Sequence, residues 1–149
     1  SKLDPNDLSY NEFGAPILKS GKFISISDCK NYVTLLFSKQ SCGVDIETKR
    51  KQILNIKHKF LNQTDINNIS VENISDITLI WTLKEAIYKL CQYPGINFKD
   101  QIFVTTIDIK NNLANAYVDI DGSITNFICK FQINKEYICS TVFIDDGLS

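Results

Sequence analysis

The sequence predicts an α+β fold, an antiparallel β-sheet with one long helix packed across it. The helix is read over residues 75–91, where Leu79, Leu83, Ala86 and Leu90 recur at helical spacing and form one apolar stripe. The sheet is read from short apolar runs on both sides of that helix, broken by turn signals at hairpin spacing. Pro94-Gly95 stops the helix, and the chain beyond it is strand-like.

Taken in order, residues 1–21 are polar and turn-rich. Asp4-Pro5-Asn6-Asp7 caps a short turn, and residues 11–16 make another. Residues 22–27 alternate and read as a strand. Residues 28–31 are a tight turn, and residues 32–37 form a second strand, apolar enough to be central. Residues 42–47 are the third, and the short connections predict an antiparallel meander. Two short helical stretches come next, at about 53–61 and 64–69. Asn73 or Ser75 is the N-cap of the long helix. The remaining strands are read at 102–109, 113–120, 125–133 and 137–144, with a hairpin turn at Asp121-Gly122. No repeat, linker or low-complexity run divides the chain, so residues 1–149 are read as a single domain.

Hydrophobic residues at 44% and charged residues at 22% give the profile of a soluble globular protein. A net charge of −1 and a sequence pI near 5.8 leave no basic field to recruit nucleic acid. No apolar run is long enough to cross a bilayer, and no signal peptide is legible, so a cytoplasmic protein with no membrane partner is expected. The five cysteines are odd in number and lack C-x-x-C spacing. They read as reduced small hydrophobes, neither a disulfide frame nor a zinc site. His58, the single histidine, has no partner cluster and reads as a surface residue on a helix. With no methionine in the chain, an N-terminal segment is expected to have been removed.

Two stretches carry the chemistry. In a strand Asp45 and Glu47 point the same way, with Cα atoms roughly 6.5–7 Å apart, while Val44 and Ile46 face the core. Carboxylates at that spacing repel and raise each other's pKa unless a cation sits between them. A D-x-E pair alone is more often a solvated strand face. On the helix, Glu85 and Lys89 are one turn apart, and such a pair alone is more often a surface salt bridge. If the helix packs across the sheet, Glu85 supplies a third carboxylate. An all-oxygen set without His or Cys favours magnesium, which keeps waters and binds substrate phosphates. Lys89, and Lys84 beside Glu85, would face those phosphates. Metal plus lysine beside a phosphoanhydride is apparatus for phosphoryl-group transfer.

Gly43-Val44-Asp45-Ile46-Glu47, followed by Trp81-Thr82-Leu83-Lys84-Glu85-Ala86-Ile87-Tyr88-Lys89, resembles the signature pair of the 4′-phosphopantetheinyl transferases, in the surfactin-synthetase-activating type. The two halves stand in the family's order, and the resemblance runs from about residue 10 to 109. It implies an enzyme that moves phosphopantetheine from coenzyme A to a serine of an acyl or peptidyl carrier protein, releasing 3′,5′-ADP. Fatty acid, polyketide or nonribosomal peptide biosynthesis is the implied setting. By resemblance, Asp45, Glu47 and Glu85 match the magnesium ligands and Lys89 the lysine near the pyrophosphate. Asp65 falls where many members have a glutamate proposed to accept the serine proton; a plain helix-surface aspartate fits that position equally.

The sequence also departs from the family pattern. Residues 24–29 match the family's N-x-S-H-S strand, which gives Ser27 and Asp28 coenzyme-binding positions, but Asp28 replaces the histidine that helps hold the 3′-phosphate. Ala15 stands where a lysine often serves the same phosphate. An anion in place of a cation there weakens binding of a group carrying about −1.5 to −2 charges. Asp28 also reads simply as a turn residue. The family is built as two similar halves, and most of the first half is absent here. An exposed apolar surface and self-association are therefore expected. Two rivals stay open: an inactive family member that binds a carrier protein or nucleotide, and a magnesium nuclease.

Overall fold

The computed structural model describes residues 4–145 and 147 and has the expected α+β class. Residues 1–3 of the polar opening lie outside the described residues. The Asp4 carboxylate accepts the Asn6 N–H and caps a 3-10 turn over Pro5–Asp7. Two short strands occupy ground read as turns. These are β1 (Leu8–Tyr10) and β2 (Pro16–Leu18), paired antiparallel. Asn11 Oδ1 accepts the N–H groups of Phe13 and Ala15 and closes the loop between them. Strands of three residues are too short for alternation to show.

β3 (Phe23–Cys29) and β4 (Tyr32–Ser38) form the expected hairpin. Asp28 and Cys29, read as turn residues, pair within β3. β4, read as central, lies instead in a two-stranded sheet with Val33, Leu35 and Phe37 exposed. β5 spans Cys42–Thr48. Then come α1 (Ile53–Ile56), a 3-10 turn over Lys57–Lys59, and α2 (Gln63–Ile66). The long helix α3 runs over Ile74–Cys91 and the short α4 over Phe98–Gln101. Four strands close the fold: β6 (Ile102–Asp108), β7 (Leu113–Ile120), β8 (Ser123–Ile133) and β9 (Tyr137–Ile144). Asp121 and Gly122, at φ of 52° and 87°, make the β7–β8 turn with the left-handed pair such hairpins need.

The three-strand meander is corrected. The main sheet has five strands in the order β5-β9-β8-β7-β6, so β5 pairs with β9 and not with β4. The other edge of β5 is taken by serines. Ser25 Oγ accepts the Val44 N–H at 3.0 Å, and Ser27 Oγ accepts the Ile46 N–H at 3.1 Å. The two hydroxyls satisfy backbone donors that a second neighbouring strand would otherwise pair. No periodicity marks such a substitution.

α3 lies across the sheet with Leu79, Leu83, Ala86 and Leu90 buried, together with Ile77, Ile80 and Ile87. Opposite them stand Ile102, Val104, Phe127, Ile138 and Val142. Each such side chain contributes about 1.5–3 kcal/mol by leaving water. Asn73 is the cap, its side chain accepting the Asp76 N–H, so the helix begins one residue before Ser75. It ends at Cys91, where Gln92 turns left-handed at φ 49° ahead of Pro94-Gly95. Contact with β5 is closest at Gly43. A Cβ there would stand 1.9 Å from the carbonyl oxygen of Ala86, so only glycine lets the helix sit this near.

Candidate active site

That close approach sets the carboxylates of β5 beside one face of α3. Three side-chain contacts fix the register: Trp81 Nε1 donates to Glu47 at 3.4 Å, the Thr82 and Ser140 hydroxyls meet at 2.7 Å, and Lys89 Nζ donates to Asp45 Oδ1 at 2.9 Å. Asp45 is buried, and its Oδ1 also accepts the Ser27 hydroxyl at 2.9 Å. Its second oxygen, Oδ2, is buried without a hydrogen-bond partner. Lys89 further reaches the Ile26 carbonyl at 3.4 Å. Ser27 thus supports Asp45 from β3, a role its place in the sequence does not disclose.

The electrostatics arise from burying three acids near one ammonium. Burial pushes the Asp45 carboxyl up, against the pull of Lys89. Burial and then the Asp45 charge push Glu47 up, and Arg50, 3.9 Å away at the rim, offsets this only partly. Glu85 is pushed up to about 7, by burial first and then by Asp45, with Glu47 adding and Lys89 opposing. Among the described residues no group of three or more His, Cys, Asp or Glu side chains is gathered as a ready metal cluster. The convergence on one point expected from the sequence is therefore not preformed. Mutual repulsion opposes it, and Lys89 already engages one Asp45 oxygen. The donor chemistry still fits a hard cation, with all-oxygen ligands, one orphaned buried oxygen and three acids whose carboxyls are all pushed up.

Two expected site residues lie elsewhere. Lys84 does not face phosphates, for its side chain is 0% exposed and forms an ion pair with the equally buried Asp65 at 2.6 Å. Its other donors go to the carbonyls of Phe60 and Phe98, each at 2.7 Å. Burial pulls the Lys84 ammonium down, and Asp65 pulls it back up. Asp65 does not meet solvent as a proton acceptor. Its oxygens accept the N–H groups of Val104 and Asn62 besides Lys84, within a capping box at the start of α2. Lys84 and Asp65 are a structural pair joining α3 to α2, α4 and β6. Helical spacing gave Lys84 the wrong side because α2 and α4 cover that flank of α3.

Beside Lys89 a cleft of about 280 Å³ opens between the β1–β2 loop, β3 and the C-terminal end of α3. Ala15 lines it with Phe13, Pro16, Ile24, Ile26 and Tyr88. Asp28 is exposed on the same face of β3, two residues beyond Ile26. The sequence pattern singles out Ala15 and Asp28 but not Tyr88, which reads only as part of a motif.

A sequence model of the ACPS family, the 4′-phosphopantetheinyl transferase superfamily, matches residues 41–142, more than half of the chain. The chain belongs to the 4′-phosphopantetheinyl transferase superfamily. The match begins just before β5 and ends within β9, so it spans the carboxylates, α3 and the five-stranded sheet. No curated protein matches the chain. Membership brings phosphopantetheine transfer in general and sets aside the nuclease reading. Glu85 and Lys89 lie one turn apart on helix α3, not on a strand. No helix of the described residues is long and apolar enough to cross a membrane.

Proposed function

We propose that this chain transfers 4′-phosphopantetheine from coenzyme A to a serine of an acyl or peptidyl carrier protein, with magnesium, as a cytoplasmic transferase of the surfactin-synthetase-activating type. The observation that carries the reading is the Asp45–Lys89 pair with its orphaned Oδ2, beside Glu47 and Glu85, with Lys89 also lining the cleft. In the reaction the serine oxygen bonds to the β-phosphorus, the bond to the 3′,5′-ADP oxygen breaks, and that oxygen leaves with the electron pair.

Asp45, Glu47 and Glu85 are the residues that would hold magnesium, which when bound neutralises charge on the phosphoanhydride. Ser27 and Lys89 fix one Asp45 oxygen and leave the other buried without a partner. Lys89 offers its ammonium to the pyrophosphate from the wall of the cleft. Asp65, sealed against Lys84, takes no serine proton. As a metal-holding carboxylate Glu85 is ionised and committed to the cation, so the serine proton passes to solvent water. The test is mass spectrometry of an apo carrier protein incubated with the chain, magnesium and coenzyme A. The carrier gains one phosphopantetheine; no gain, with a control transferase active on the same carrier, refutes the reading.

A second reading has its own observation. Ala15 and Asp28, on the cleft side of the site, bring no cation to it. A family member that binds without catalysis would take coenzyme A in calorimetry and leave the carrier unmodified.

A further inference from the structure

The charge inventory of the cleft beside Lys89 is lopsided. Lys89 is the one charged residue among the described residues that line it, and it is shared with Asp45. The rest of the wall is apolar or neutral: Phe13, Ala15 and Pro16 on the β1–β2 side, Ile24 and Ile26 from β3, and Tyr88 from α3. Two aromatic rings stand partly open at it, Phe13 at 58% exposure and Tyr88 at 36%. Such faces stack on a planar base. Further along the same face of β3 stands the exposed carboxylate of Asp28.

A phosphomonoester carries about −1.5 to −2 charges at neutral pH and is held where Arg, Lys or helix N–H groups meet it. Among the described residues that line it, this cleft provides one ammonium, that of Lys89. We propose that it takes the nucleoside end of a pyrophosphate-linked coenzyme without recognising a phosphomonoester on that nucleoside. Coenzyme A lacking its 3′-phosphate is then bound at least as well as coenzyme A itself. This rests on the proposed coenzyme reading and adds a specificity to it. Lys89 meets the pyrophosphate, Phe13 and Tyr88 flank the base, and Ala15 and Asp28 leave the 3′ position without a partner.

Calorimetry on the whole chain with magnesium tests this, comparing coenzyme A with 3′-dephospho-coenzyme A. The dephospho compound is expected to bind with equal or lower Kd. Ala15 has an ordinary backbone conformation and lines the cleft, so Ala15→Lys can extend an ammonium into it. That variant should tighten coenzyme A roughly three- to five-fold, the worth of one partly screened charge, and leave the dephospho compound unchanged. Asp28→Asn, at an exposed position that does not threaten folding, should gain for coenzyme A alone, by roughly two-fold. Coenzyme A bound several-fold more tightly than its dephospho form by the unaltered chain overturns the inference and leaves the coenzyme reading standing. Binding of neither compound overturns both.

Discussion

Replacing Glu85 by glutamine should weaken function and strengthen the fold in the same molecule. The Glu85 carboxyl is raised from 4.5 to about 7 by burial and by the charges of Asp45 and Glu47. A folded pKa above the unfolded one means that the folded chain holds the proton more tightly. The stability this lends is complete below about pH 4.5 and is lost as pH rises through 7. At 1.36 kcal/mol per unit the full shift would be worth about 3 kcal/mol. Glu85 is part-exposed, so screening brings this to about 1–2 kcal/mol. Glutamine keeps the shape and never ionises. Glu85→Gln should therefore gain about 1–2 kcal/mol on the wild type between pH 5 and pH 8, a few degrees in Tm for a chain of this size. The assay is thermal unfolding by circular dichroism at both pH values, without divalent ions and then with magnesium. Magnesium should raise the wild-type Tm at pH 8 and move the variant far less, and the variant should lose carrier modification. An equal Tm difference at both pH values would refute the reasoning, because neither burial nor the β5 carboxylates would then be raising the Glu85 carboxyl.

Packing sets three further outcomes. Gly43→Ala places a Cβ 1.9 Å from the Ala86 carbonyl, so α3 must move; about 1–3 kcal/mol should be lost in urea unfolding, and carrier modification should fall because Glu85 and Lys89 travel with the helix. Lys84→Met strands the Asp65 carboxylate and should cost about 3–5 kcal/mol in the same assay, whereas Lys84→Met with Asp65→Leu should recover most of it with coenzyme affinity intact; a selective loss of that affinity would return Lys84 to the phosphates. Val33, Leu35 and Phe37 stand 69%, 51% and 46% exposed on one face of β4, and changing all three to threonine should abolish the concentration-dependent mass expected in analytical ultracentrifugation. A wild-type chain of constant monomer mass would contradict that last expectation.

The fold was legible where the signals are local. The α3 stripe, the Pro94-Gly95 stop, the β7 and β9 bounds and the Asp121-Gly122 turn all rest on spacing or backbone chemistry within one segment. What escaped is non-local. β5 chooses β9 across roughly a hundred residues of chain, and nothing within 42–48 states that choice. The serines that replace a strand partner are ordinary strand residues until Val44 and Ile46 are seen to donate to them. The stretch read as one helix over 53–61 breaks into α1 and a 3-10 turn, after which Lys84 bonds the Phe60 carbonyl.

The site shows the same limit on a smaller scale. Lys84, Glu85 and Lys89 share a few turns of one helix, and sequence spacing alone gives Glu85 to the metal and both lysines to the phosphates. An α-helix advances about 100° per residue, so Lys84 and Glu85 point to different flanks. Which flank is solvent depends on what else packs there. α2 and α4 close over Lys84, and Asp65 turns inward to meet it, which buries both away from the β5 carboxylates. Glu85 and Lys89 face β5, where Gly43 admits the helix and Ser27 steadies Asp45. The residues that position the site are thus a glycine and a serine without reactive chemistry of their own. Their importance lies in the distance between α3 and β5, which is why the Gly43 and Glu85 substitutions should fail in different ways. The first moves the helix and costs stability at every pH; the second leaves the helix in place and changes only the charge it carries.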